Sequence, residues 1–140
     1  MSLITKLGQC WSDNLDNIHD DIIDNLCGLI SARAPIWLKS EQSDRLSGTI
    51  VNMGMTCVSR WQNQSNSDGI VTEMTALIQR YEPRLSQVEI EIQETLTNEN
   101  RLRFRIFAVM HSAIAEEEVV LDSFLDFNIN RLIVRRANLV

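Results

Sequence analysis

Lysine is nearly missing from this 140-residue chain: Lys6 and Lys39 stand alone, and arginine fills the other eleven of thirteen basic positions. Solubilising surfaces use lysine freely, whereas arginine is favoured in ordered ion pairs and interfaces. The bias therefore points to protein contacts, with a merely solvated surface as the plainer reading. Proline occurs twice and glycine five times, and with 23% charged residues this argues against disorder. The three cysteines, Cys10, Cys27 and Cys57, are odd in number and match no zinc or redox spacing. They read as buried thiols in a reducing compartment. His19 and His111 have no second histidine or cysteine at ligand spacing, so no metal and no cofactor is expected. No G-x-S-x-G, phosphate-cradling glycine loop or dinucleotide fingerprint occurs, and nucleophilic and nucleotide chemistry lose their usual supports. Neither a charged-then-apolar leader nor a run of about 18 apolar residues is found. Direct membrane insertion is not expected, and the cytoplasm is the expected location.

A net charge of -6 and a pI near 4.8 disfavour nucleic acid as a partner. The charge is uneven. Asp13, Asp16, Asp20, Asp21 and Asp24 crowd the first third, and Arg101, Arg103, Arg105, Arg131, Arg135 and Arg136 the last. With 44% hydrophobic residues the length suits one domain with a real core. We place that domain at 13–140, with 1–12 as an arm or short helix.

Leu3, Leu7, Cys10 or Trp11, Leu15, Ile18, Ile22, Leu26, Leu29 and Ile30 recur at steps of three and four, the mark of an amphipathic helix. Ser12 or Asp13 can cap its firm part, predicted at 13–32. Asp13, Asp16, Asp20 and Asp24 share one face, which must be wet or paired. Residues 34–67 lose the period and read as loop with one short helical turn. Trp37 and Trp61 within it read as lids over the core or as interface anchors. So long a loop inside a compact domain has partner binding among its accepted reasons. A second helix, capped by Ser67 or Asp68, carries the stripe Ile70, Met74, Leu77, Ile78 and Tyr81 until Pro83 stops it.

Beyond that proline Val88, Ile90 and Ile92 alternate with Gln87, Glu89, Glu91 and Gln93. After a turn at Thr97–Asn100, Leu102 to Met110 alternate with Arg101, Arg103 and Arg105. The hairpin would set glutamates opposite arginines. A further strand region spans about 118–136 with a turn at Asn128–Asn130, and Glu116–Glu118 reads as a solvated turn before it. The fold expected is α+β, two main helices packed on one face of a three- to four-stranded antiparallel sheet.

Glu82-Pro83-Arg84 sits where helix gives way to strand. Proline fixes its own φ and pushes its predecessor out of the helical region. Glu82 is therefore predicted to be extended, its carboxylate clear of the helix axis, with the fork of Arg84 free for a two-pronged grip on a carboxylate. On physical grounds alone, pairing of Glu82 with a neighbouring arginine is the favoured alternative.

Residues 70–85, read as Ile70-x3-Met74-x2-Leu77-Ile78-x2-Tyr81-Glu82-Pro83-Arg84-Leu85 and followed by Val88, resemble the signature of the small contractile-tail baseplate wedge family. That family includes the type VI secretion component TssE and phage wedge proteins once labelled tail lysozymes. Leu29-Ile30-Ser31-Ala32-Arg33 resembles its helix-ending Leu-Leu-Asn-Thr-Arg at the leucine and arginine. Gly54 of Met53-Gly54-Met55-Thr56-Cys57 matches its Tyr-Gly-Leu-Pro-Asp-like turn, whose proline and aspartate are absent here. The resemblance runs over roughly 14–136. It implies a structural subunit without enzymatic activity, binding other wedge subunits (TssF-, TssG- and TssK-like) and sheath proteins. It also implies a partner-binding role for Glu82, Pro83 and Arg84, to which we add Tyr81 and Arg33. A cation after a helix end also has a purely structural use, on the last carbonyls and the dipole. Charge reversal at Arg84 is expected to abolish wedge assembly and leave the fold intact. Two other readings fit parts of the pattern: an anti-adaptor-like regulatory module, and a phage-derived tail wedge protein. A muramidase would need two carboxylates across a cleft. Its candidates are Glu82 with Glu116–Glu118 or Asp122, but Arg84 beside Glu82 would spoil a general acid.

Overall fold

In a computed structural model of the chain, the described residues are 7, 14–35, 44–46, 48–56, 67–96, 101–129 and 131–136. Helix α1 spans Leu15–Ser31 and α2 Ser67–Tyr81. Four strands follow, β1 Leu85–Leu96, β2 Arg101–His111, β3 Glu116–Asp126 and β4 Arg131–Arg136. They form one antiparallel sheet in the order β1-β2-β3-β4. The fold is α+β, and the fourth strand exists because the expected Asn128 turn divides the 118–136 region. Glu116–Glu118, expected in a turn, lies in β3 instead.

The 3.6-residue and two-residue periods meet in a single core. Ile22, Leu26 and Ile30 of α1 and Ile70, Met74 and Ile78 of α2 cluster with Phe104, Ile106, Met110, Leu121 and Leu132 of the sheet. Burial of each such side chain contributes roughly 1.5–3 kcal/mol. Strand β2 alternates buried and outward residues as its pattern predicts. Leu85 and Val88 of β1 are both buried although an odd number of steps separates them. A bulge makes this possible: from Ser86↔Val109 to Glu89↔Phe107, β1 takes one residue more than β2, and Gln87 adopts φ 50°.

Helix α1 starts one or two residues later than predicted. Its N-cap is Asn14, which makes no side-chain capping bond, and only the Asn14 carbonyl accepts from Ile18 N. Ser12 and Asp13 lie outside the described residues. So do Cys10, Cys57, Trp11, Trp37, Trp61 and the Thr97–Asn100 turn, and the 1–12 arm except Leu7. Within 34–67 the described part holds two short 3-10 helices, Asp44–Leu46 and Ile50–Asn52, where one helical turn was expected. It also holds a parallel bridge between Arg33 and Met55.

The arginines of β2 reach further than the hairpin. Glu91 does stand opposite Arg105 and Glu94 opposite Arg103. The ion pairs of Arg105 and Arg101, however, are with Asp122 (2.7 Å) and Asp126 (3.1 Å) of β3, and Arg103 lies 4.7 Å over the Phe124 ring. Across the sheet, Glu91, Arg105, Asp122 and Arg135 form one register row of alternating sign. Such rows neutralise themselves.

Candidate functional site: the helix-to-strand corner

Helix α2 ends when Glu82 N donates its last helical bond to the Ile78 carbonyl at 2.9 Å. Pro83 then occupies the second position of a four-residue turn closed by Leu85 N on the Glu82 carbonyl at 3.2 Å, the position whose φ proline presets. His111 N donates to the Arg84 carbonyl at 2.8 Å, which fastens the turn to the end of β2. The turn brings Arg84 back across Glu82 instead of carrying it onward.

This geometry corrects the expected outward carboxylate. Glu82 is 1% exposed and Asp21 of α1 is 3% exposed. Arg84 grips Glu82 with two prongs, Nε to Oε1 at 2.7 Å and Nη2 to Oε2 at 2.8 Å, while its Nη1 donates to Asp21 Oδ2 at 2.6 Å. Asn25 Nδ2 donates to Glu82 Oε2 at 2.7 Å. Arg84 N approaches Glu82 Oε1 at 3.4 Å. Two carboxylates share one guanidinium, and both carboxylates are out of water. The hydrogen bond to Glu82 raises the Arg84 pKa above the ordinary guanidinium value, burial opposes it, and the bond to Asp21 adds to the rise. Arg84 stays charged, and the network fastens α1 to the α2–β1 corner. Charge reversal at Arg84 therefore strikes the fold itself, contrary to the expectation that the fold would be left intact.

Around this lock the other expected residues separate. Pro83 is exposed. Tyr81 donates its hydroxyl to the Thr49 carbonyl at 2.9 Å, tying the 48–56 segment to the end of α2. Arg33 does not serve the last turn of α1, which holds no basic residue. It lies past the extended Ala32, exposed, with its backbone in the bridge to Met55. Gly54 makes that bridge possible: at φ +116° a Cβ would meet the Ala32 carbonyl carbon and oxygen at 2.6 Å. Glu73 completes the tie, its Oε1 accepting from Thr56 N at 2.7 Å and Thr56 Oγ1 at 2.6 Å.

Sequence reading did not single out Asp21 and Asn25. Their signal was an i, i+4 polar pair directly beside the apolar positions Ile22 and Leu26. A second arrangement also went unseen. Ser86 Oγ contacts His111 Nε2, and His111 Nδ1 contacts Glu116 Oε1 at 3.0 Å. The order hydroxyl, imidazole, carboxylate is that of a nucleophile triad, yet the Glu116 side chain is 73% exposed. A solvated chain of this kind lacks the water-excluded electrostatics that such chemistry uses, and it acts as a clasp between β1, β2 and β3. Of the carboxylates considered for glycoside hydrolysis, Glu82 is held by Arg84, Asp122 by Arg105 and Glu116 by His111, while Glu117 lies 3.4 Å from His19.

No helix among the described residues is long and apolar enough to cross a membrane. No curated protein matches the chain significantly. Residues 18–113 match the family described as baseplate wedge protein gp25, a span that contains Asp21, Asn25, Gly54 and the whole corner and stops before β3. On that match, which covers well over half of the sequence, the chain belongs to the baseplate wedge protein gp25 family.

Proposed function

We propose that this chain is a non-catalytic structural subunit of a type VI secretion baseplate wedge, working in the cytoplasm. It binds other wedge proteins, of TssF-, TssG- and TssK-like type, and helps connect the baseplate to the contractile sheath. Residues 13–140 act as one domain with 1–12 as an arm, and both helices pack on one face of the sheet, a placement supported by the single core cluster. The observation that carries the reading is the closed Asp21–Asn25–Glu82–Arg84 network inside the family-matched span. Glu82 and Arg84 serve partner binding from beneath, by fixing the shape of the corner. Pro83, Tyr81 and Arg33, at separate points around it, are residues that neighbouring subunits meet. A corner fixed by these bonds is preorganised, which reduces the entropy lost on assembly.

Purification of the tagged chain from its host, with mass spectrometry of what accompanies it, tests the reading. Stoichiometric recovery of baseplate and sheath proteins is the expected result. Recovery of none of them, or release of peptidoglycan fragments by the pure protein, would overturn it.

A further inference from the structure

The 48–56 segment is held from several sides, yet it holds its own apolar side chains out. Thr49 Oγ1 and Asn52 Nδ2 both donate to the Leu46 carbonyl, at 2.8 and 3.1 Å. Asn52 N donates to the Thr49 carbonyl at 3.1 Å, and the hydroxyl of Tyr81 reaches that same carbonyl. Met55 and Thr56 anchor the far end on Arg33 and Glu73. Met55 turns into the core, whereas Ile50 is 81% and Val51 43% exposed. A fixed loop that presents two branched apolar side chains to water gains nothing for its own fold from them.

Of the charged groups tied to this segment, Glu73 is taken up by Thr56, and two arginines remain exposed. Arg80, at the end of α2, is exposed and runs past Gly48, where an added Cβ would lie 4.0 Å from its Cδ. Arg33, exposed, belongs to the bridge with Met55. Arg84, Arg101 and Arg105 are ion-paired, but Arg33 and Arg80 have no carboxylate partner among the described residues. Two unneutralised arginines flanking an apolar lip are notable in a protein of net charge -6.

We propose that the Ile50–Val51 lip, with Arg33 and Arg80 at its sides, docks an acidic amphipathic segment of a neighbouring protein subunit. This deepens the wedge reading and rests on it for the identity of the neighbour. The apolar residues of that segment cover Ile50 and Val51, and its carboxylates meet the two guanidiniums, for which arginine is the fitting cation. Charge complementarity selects this occupant. A lipid surface fits less well, because membrane attachment needs a larger apolar face and a cluster of several cations.

A photo-crosslinking residue at position 50 of the full chain, expressed in its own host, tests the proposal. Expected is a crosslink to a segment rich in Glu or Asp with interspersed apolar residues. Its yield should fall roughly tenfold in R33E/R80E and also decline in high salt. The same residue placed at the exposed position 133 should give no crosslink to that segment. Attachment to lipid, to a basic segment, or to nothing while wedge proteins still co-purify would overturn the docking proposal and leave the wedge reading standing. A crosslink to an acidic segment of a protein outside any baseplate would support the docking surface and overturn the wedge reading. Retention of full yield by R33E/R80E, with circular dichroism unchanged, would refute the electrostatic part.

Discussion

Replacing Arg84 by methionine keeps much of its length and removes its charge. In the native chain the guanidinium meets Glu82 at 2.7 and 2.8 Å and Asp21 at 2.6 Å. Without it two carboxylates, 1% and 3% exposed, are left side by side, and the Asn25 amide still donates to Glu82. Removing one partner of a buried ion pair costs about 3–5 kcal/mol, because the other charge stays desolvated. Against a total stability of about 5–15 kcal/mol for a domain, that is a large share. Urea unfolding followed by far-ultraviolet circular dichroism at pH 7 should show it. With a slope of about 2 kcal/mol/M, the midpoint should fall by roughly 2 M. Glu82→Gln, which leaves Arg84 its bond to Asp21, should lose less, about 1.5–3 kcal/mol. A loss below about 1 kcal/mol in R84M would mean the corner behaves as a solvated surface pair, and the reasoning would fail.

Gly54→Ala should destabilise by at least about 2 kcal/mol in the same unfolding measurement, from positive φ and the clash with Ala32. Gly28→Ala, in the last turn of α1 with open space around its Cβ, should stabilise by about 0.5–1 kcal/mol. Tyr81→Phe should cost about 1 kcal/mol and speed amide exchange across 48–53, since one buried-end hydrogen bond to Thr49 is lost. Asp126 is held below its ordinary 3.8 by the hydrogen bond from Arg101 first, with burial opposing and Asn128 N adding. A depressed carboxylate stabilises the fold above 3.8 and loses that contribution as pH falls through its folded value, so its NMR titration midpoint should lie below 3.8 and rise in R101M. Burial pushes the Cys27 thiol above its ordinary 9.0, against a hydrogen bond with the backbone of Val134. Alkylation at pH 8, mapped by mass spectrometry, should therefore be slower at Cys27 in the folded protein than in urea.

The helices and strands were legible because their apolar periods are long and uninterrupted: Ile22, Leu26, Ile30 and Ile70, Met74, Ile78 at helical spacing, Leu102 to Met110 at alternate positions. The corner was located correctly, since Pro83 can only end a helix there. Pairing of Glu82 with a neighbouring arginine, favoured on physical grounds alone, is what Arg84 makes; what could not be read was that the pair turns inward and takes in a second carboxylate. That depends on a turn in which residue i+2 folds back over residue i, and on Asp21, which is more than sixty residues away and indistinguishable by composition from its exposed neighbours Asp20 and Asp24. Glu91 stands opposite Arg105 as expected, but the ion pairs of Arg105 and Arg101 form with Asp122 and Asp126 on the other flank. Local alternation shows which face a side chain takes, but not which of two flanking strands it pairs with. Of the two uses expected for Arg33, partner binding and the helix end, the second is not met, because a bridge made possible by Gly54 carries its backbone elsewhere.

On the proposed function, the corner's charges lock the subunit from within and the neighbours meet what the lock holds in place. Replacing the whole set at once, D21L/E82M/R84M, removes every charge without stranding one, an exchange that buried ion clusters often tolerate. This variant should fold and assemble with the wedge proteins of its host at the parental yield. A variant that folds as stably as the parent but no longer assembles would mean the charges themselves are what the neighbours bind.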